Sequence, residues 1–382
     1  MMVYHCCVKE RGTYKIIRHR NCGGVRIRCN SSFGGMVSRA CLFQKTQKGE
    51  KMDRECFWKI RDSYICNVKA FFMLLVITGH LLECKLENET IRFLYKLIYS
   101  VHMPLFAYVT GLGAKSISRC RKQCISSLRY YLLIQGSVML YFYVIKGSRC
   151  HLLTPYWHVW FLLAMVWWSL GGWLCLYLKK KGIPWAVLTI GAMAGACLCG
   201  AVTSIGRFLS LSRAIVFFPY YVMGMCGLGE KLPVKKTWSL LALIPAILGI
   251  DYITSHVSYV FLYQAAGFGM GRLWTGITGR LVCMLTAISL GSLFLAWIPQ
   301  KKLLCTKLGI DTLPVYIFHV CFVPLAEPLY DLFGYVIPVA VVLSAVIMFA
   351  IYGFTRFFRP VCRLQEPMML PLTLAHNEEA HM

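Results

Sequence analysis

The chain has 382 residues, 58% of them hydrophobic and only 15% charged, a composition that few water-soluble globules of this length show. Its 41 Lys and Arg against 16 Asp and Glu give a formal charge of +25, which points to nucleic acid or to a membrane surface, and the surplus sits between apolar runs. About 20 apolar residues cross a bilayer and roughly ten such runs follow residue 65, so the expected class is an all-α polytopic membrane protein. Nucleic-acid binding, collagen, coiled coil, a disordered tail and a secreted disulfide knot are excluded.

Residues 1–51 differ from the rest. They carry 11 Lys or Arg, 2 acids and five Cys, with no apolar run and no visible periodicity. Val3 to Cys7 is too short and polar for the apolar core of a secretory signal. The string Lys48-Gly-Glu-Lys-Met52 back-translates to a purine-rich ribosome-binding sequence just ahead of an ATG. The expectation is therefore a mis-annotated start, with Met52 the true initiator of a bacterial gene and residues 1–51 a basic leader. His5, Cys6, Cys7, His19 and Cys22 lack the paired spacing of structural zinc sites. No metal is expected there, nor at Cys197 and Cys199, where charged neighbours are absent and a thiol behaves as a small hydrophobe.

A cytoplasmic segment, 52–64, leads into a membrane domain at 65–357, and 358–382 form a cytoplasmic tail. Helices are expected at about 65–84, 91–113, 127–146, 156–178, 183–203, 208–229, 237–255, 280–299, 309–330 and 335–357. Between the seventh and eighth, Val257 to Gly279 reads as a re-entrant piece or part of a long external loop. With the N-terminus inside, the inner loops hold 14 basic residues, among them Lys115 to Lys122 and Lys179 to Lys181, against nine outside. The positive-inside rule then puts both termini in the cytoplasm and gives an even number of spans.

Ionisable groups inside spans cost about 2.5–3.5 kcal/mol each on insertion scales, so those present invite a functional reading. Lys69 and His80 are 11 residues apart, which is about three turns and about 16 Å along a helix, on one face. Glu83 lies one turn beyond His80 on a neighbouring stripe. Two readings of Lys69 stand: a functional cation, or a side chain snorkelling to the inner headgroups. His102, His158 and His319 also fall in or beside spans, Pro104 should bend its helix, and Trp157 and Trp160 suit either a site or a membrane interface. Four histidines in the spans of one chain suggest a polar chamber, and imidazole moves protons near neutral pH.

Asn67-Val-Lys69, then ten residues and His80, are followed by His102-Met-Pro-Leu-Phe106 with Gly111, Trp157-His-Val-Trp-Phe-Leu162 and Pro314-Val-Tyr-Ile-Phe-His319. In order and spacing these motifs resemble the acyltransferase 3 family of membrane O-acyltransferases, over about 60–357, in its stand-alone form without a soluble hydrolase-like domain. The resemblance implies about ten transmembrane helices and an acyltransferase for groups other than amino-acyl groups. It further implies acetyl-CoA or another acyl-CoA as cytoplasmic co-substrate, no permanently bound cofactor, and a glycan hydroxyl as acceptor. Many members carry Arg at the position of Lys69 and an acid at that of Cys66. Lys keeps the charge but not the bidentate fork.

On this reading His80 is the base or a transient acyl carrier and His319 a second acid or base, while Lys69 binds the donor. His102, Pro104, Trp157, His158, Tyr316 and Glu83 line the substrate pocket. The expected product is an O-acetylated cell-envelope or exported polysaccharide, and the expected location the bacterial cytoplasmic membrane. The partners are acyl-CoA, a carbohydrate acceptor and the bilayer. A multi-pass transporter or glycan flippase is the alternative, though no two-fold repeat is visible in the sequence.

Overall fold

A computed structural model of the chain describes residues 4–10, 13–19, 63–147, 151–227 and 236–358. Two compact units are distinguished, Met1–Cys56 and Phe57–Met382. In the first, β1 (Tyr4–Glu10) and β2 (Thr13–His19) pair antiparallel, with Tyr4 opposite His19 and Glu10 opposite Thr13. Regular structure thus occurs where no periodicity was expected. The β-branched Val8, Ile16 and Ile17, with Tyr4 and Tyr14, supply its strand propensity. The proposed start at Met52 and nearly all of 52–64 and 358–382 lie outside the described residues.

The second unit is helical. Its long elements are α1 (Ser63–Lys85), α2 (Glu89–Gly113), α3 (Ile117–Lys146), α4 (Trp160–Lys180), α5 (Trp185–Leu198) and α6 (Leu211–Cys226). They continue as α7 (Leu243–His256), α8 (Leu273–Trp297), α9 (Thr312–Phe318), α10 (Ala326–Phe333) and α11 (Val336–Phe358). Among the described residues eight helical stretches are long and apolar enough to cross a membrane, as a polytopic helical protein requires. Of the ten expected segments, the other two are also helical but differ in kind. Helix α2 is long enough, yet Glu89, Arg92 and Lys96 load its first turns, and the fifth is a shorter apolar helix, Trp185–Ala201.

Several boundaries differ from expectation for identifiable reasons. Helix α3 begins ten residues early, because the Ser116 side chain caps it by accepting from the Arg119 amide. Arg119, Arg121 and Lys122 are therefore on a helix and not in a loop; Cys120, Gln123 and Ser127 take its buried face while Arg121 and Lys122 stay exposed. Helix α8 starts at Leu273, directly after a 3-10 turn, Met270–Arg272. The ninth expected span is broken: α9 passes at His319 into a 3-10 stretch, His319–Leu325, before α10 resumes. Val257–Gly279 contains only a one-turn helix, Tyr259–Leu262, before the 3-10 turn and the start of α8.

Helix α1 is the hub. Its most apolar stretch is 67% buried, against 11% for α3, which keeps Leu133, Leu140 and Tyr143 exposed on its outer face. Hydrogen bonds tie α1 to its neighbours: Tyr64 donates to the Leu295 carbonyl of α8 at 2.5 Å, Thr78 and Ser344 of α11 share a 2.9 Å bond, and Tyr330 of α10 donates to the Leu81 carbonyl at 2.9 Å. Such interhelical bonds in a bundle are worth about 0.6–1.7 kcal/mol each. Around α1, helix α2 packs on α6 and α8, α3 on α4, α5 on α6 and α7 on α8. Helices α2 and α6 cross backbone to backbone. A Cβ on Gly111 would lie 2.0 Å from the Tyr221 carbonyl oxygen, and one on Gly224 2.1 Å from that of Tyr108.

Candidate active site

His80 sits near the C-terminal end of α1, just ahead of its closing 3-10 turn, Glu83–Lys85, and three residues before Glu83, a spacing at which helix neighbours touch. Its Nδ1 lies 3.0 Å from Glu83 Oε1. The same oxygen accepts from the hydroxyls of Tyr99 at 2.6 Å and Tyr95 at 3.0 Å, both on α2, and Tyr95 is in turn 3.0 Å from the hydroxyl of Tyr263. A carboxylate only accepts, so Nδ1 carries a proton, and in the neutral imidazole this leaves the lone pair on Nε2. Glu83 therefore does more than line a pocket: it fixes the tautomer of His80 and is itself held by two tyrosines.

Three of the four histidines gather directly. The ring of His80 is 5.3 Å from that of His319 and 5.1 Å from that of Trp157, and His158 is 5.8 Å from His319. His102 joins through Tyr99, whose ring lies 4.7 Å away, and its Nδ1 donates to the Ile98 carbonyl at 2.7 Å. His319 is fully buried where α9 turns into its 3-10 stretch; its Nδ1 donates to the Tyr316 carbonyl at 2.8 Å. Tyr316 donates its hydroxyl to the backbone carbonyl of His158. The Nε2 of His319 and both ring nitrogens of His158 are buried without a hydrogen-bond partner among the described residues. Pro104 is buried in α2, which runs through it, and lines neither cavity described next.

Two cavities divide the site. The larger, about 540 Å³, is lined by His80, Glu83, Tyr99, His102, Trp157 and His158, and its rim comes from the α3–α4, α5–α6 and α7–α8 connections. The smaller, about 70 Å³ and mostly apolar, holds Lys69 and Asp311 with Met73, Val76, Phe161 and Tyr316. Met103 lines both. Lys69 is 6% exposed and lines this pocket. The neighbouring Asn67 clamps the segment after α8. Its amide donates to the carbonyls of Pro299 at 2.7 Å and Lys301 at 3.0 Å, and its carbonyl accepts from Thr306 at 2.6 Å.

Backbone strain concentrates at the larger cavity. Among the described residues four that are not glycine have positive φ: Trp157 (32°), Leu209 (50°), Ser210 (55°) and Gln264 (51°). Trp157 and Ser210 line the cavity, Leu209 adjoins Ser210, and Gln264 lies between the lining residues Tyr263 and Ala265. Strained residues persist where surrounding structure over-determines them, and they cluster at functional sites. Residue-by-residue reading of the sequence does not single out Tyr95, Tyr99, Tyr263, Arg207 or Arg213. The 95, 99, 102 spacing on α2, a single helical stripe, is the signal that leads to the first two. No disulfide joins the eleven described cysteines. Cys199 is the exception to the absence of charged neighbours: the buried Arg280 guanidinium reaches over from α8 to within 3.0 Å of its sulfur. The described residues contain no group of three His, Cys, Asp or Glu placed to hold a metal ion.

No family model matches the sequence, and no solved structure matches it. The chain is 31% identical over 126 residues to the nodulation protein NolL of Sinorhizobium fredii, a match taking in 27% of this chain and 34% of that protein. The chain thus spans about a third of the curated relative it matches.

Proposed function

We propose that the protein is an integral-membrane O-acyltransferase that moves an acetyl group from cytoplasmic acetyl-CoA to a hydroxyl of a cell-envelope or exported glycan. The observation that carries this reading is the His80–Glu83 pair: an imidazole with a carboxylate on Nδ1 and a free Nε2, in a cavity large enough for a sugar, next to an apolar pocket that ends at a buried cation. The motif resemblance and the partial similarity to a nodulation protein agree with it. In this mechanism His80 Nε2 takes the proton of the acceptor hydroxyl as its oxygen attacks the thioester carbonyl. The carbon–sulfur bond then breaks, and the departing CoA thiolate receives that proton from His80, directly or after Nε2 of His319 beside it has taken the proton from His80 and passed it on. Glu83 holds the imidazole and stabilises the imidazolium that forms. Lys69 meets the donor at the other end of α1, and the narrow apolar pocket takes the acyl-bearing arm of CoA. Both termini are cytoplasmic and the larger cavity opens outward.

The test is release of free CoA thiol from acetyl-CoA by detergent-purified protein supplied with extracted glycan lipids. Wild type should release thiol in an acceptor-dependent way and His80→Ala should not. Equal release by both, or none by wild type over a range of extracts, refutes the reading.

A further inference from the structure

Resting on that acyl-transfer reading, we infer that the larger cavity contains an oxyanion subsite built by Arg207 and Arg213, so that the acceptor carries a phosphate or carboxylate group besides the hydroxyl that is acylated. The chain is shaped to bring the two arginines to one wall. Left-handed Leu209 and Ser210 turn it, the Leu209 amide donates to the Leu153 carbonyl at 2.7 Å, and the Ser212 amide donates to the Gly206 carbonyl at 3.3 Å. Both arginines line the cavity that contains His80.

Arg213 is held for the purpose. Its Nε donates to the Tyr263 carbonyl at 2.9 Å and its guanidinium lies 4.8 Å from the ring centroid of Trp160, while its terminal amino groups donate to no described residue. Arg207 is exposed at the rim. No carboxylate among the described residues forms an ion pair with either. The one carboxylate lining the cavity is Glu83, already taken by His80, Tyr95 and Tyr99, so the wall is left with a surplus of positive charge. The start of α6 faces the same space, with Ser210 at its N-cap position making no cap bond, and a helix N-terminus adds a further partial positive charge. A planar guanidinium with free amino groups recognises phosphate and carboxylate alike. The phosphates of CoA are the other anions in the reaction, but they belong at the Lys69 end, about 16 Å along α1 from His80.

Calorimetric titration of the purified full chain tests the subsite, with glucose 1-phosphate, glucuronate and glucose as probes. Wild type should bind one or both charged sugars saturably and glucose at least about tenfold more weakly. The arm that binds tells phosphate from carboxylate. Arg207→Gln, at an exposed position where folding is safe, and Arg213→Gln should each weaken the charged sugar about tenfold or more, with Arg213→Lys between, and all three should keep wild-type affinity for acetyl-CoA. Equal affinity for glucose, no binding of either charged sugar at millimolar concentration, unchanged affinity in both Gln variants, or competition between acetyl-CoA and the charged sugar overturns the acceptor subsite. Arginine-dependent sugar binding without any acetyl-CoA binding would instead keep the subsite and remove the acyl-transfer reading.

Discussion

Oε1 of Glu83 lies 3.0 Å from Nδ1 of His80, and both residues belong to one helical stretch of α1, so the pair is assembled by the helix itself. What the rest of the fold adds is the fixing of Glu83 by Tyr95 and Tyr99. A positioned base contributes about a hundredfold to ten-thousandfold in rate. His80→Ala should therefore lose at least about a hundredfold in kcat. Glu83→Gln keeps an acceptor oxygen but loses the charge that stabilises the imidazolium, and should lose roughly ten- to a hundredfold in kcat with the KM for acetyl-CoA unchanged. Steady-state kinetics on both variants, normalised to folded protein, check this; a Glu83→Gln enzyme with wild-type kcat contradicts the pairing.

In the proposed mechanism Lys69 binds the donor through its charge, at the far end of α1. Lys69→Arg should keep most activity, whereas Lys69→Ala should raise the Kd for acetyl-CoA about tenfold or more without altering acceptor affinity. Direct binding measurements on purified protein decide it, and equal donor affinity in the two variants would remove Lys69 from donor binding.

Gly224 lies where α6 meets the Tyr108 carbonyl of α2. Gly224→Val forces apart two helices that both line the larger cavity, α2 through Tyr99 and His102 and α6 through Arg213 and Phe217, and overpacking of this kind costs about 1–3 kcal/mol or more. The variant should melt at a clearly lower temperature in detergent than wild type, while Gly191→Val, at a position with open space around its Cα, should not.

The loop charges lead to a prediction of orientation. A reporter inserted at Gly182, between α4 and α5, should be cytoplasmic, and one at Gly147, between α3 and α4, external. The reverse result would turn the bundle over and put the His80 cavity on the cytoplasmic side.

The helical architecture is legible in the sequence because lipid-facing and core-facing residues are both apolar, which leaves long runs with little ambiguity. Helix ends are less legible. The early start of α3 depends on one serine cap ahead of a basic turn, and the break over His319–Leu325 contains Pro324, which removes one backbone N–H from the helical ladder but does not by itself locate where the 3-10 stretch begins. The histidines are legible because ionisable groups are rare in such runs. Tyr95 and Tyr99 are not, since a tyrosine on an apolar helix reads as packing until its hydroxyl is seen on Glu83. Arg207 and Arg213 read as ordinary loop charges, and only the left-handed turn at Leu209 and Ser210 brings them to one wall.

The central claim is that the acyl group enters at Lys69 and is delivered at His80, on opposite ends of α1. Sealed vesicles of known orientation, with radiolabelled acetyl-CoA on one face and acceptor glycan confined to the other, measure it directly. Label should appear on the glycan only when donor is on the Lys69 face and acceptor on the His80 face, and His80→Ala should abolish it. Label appearing only when donor and acceptor share one face would contradict the account.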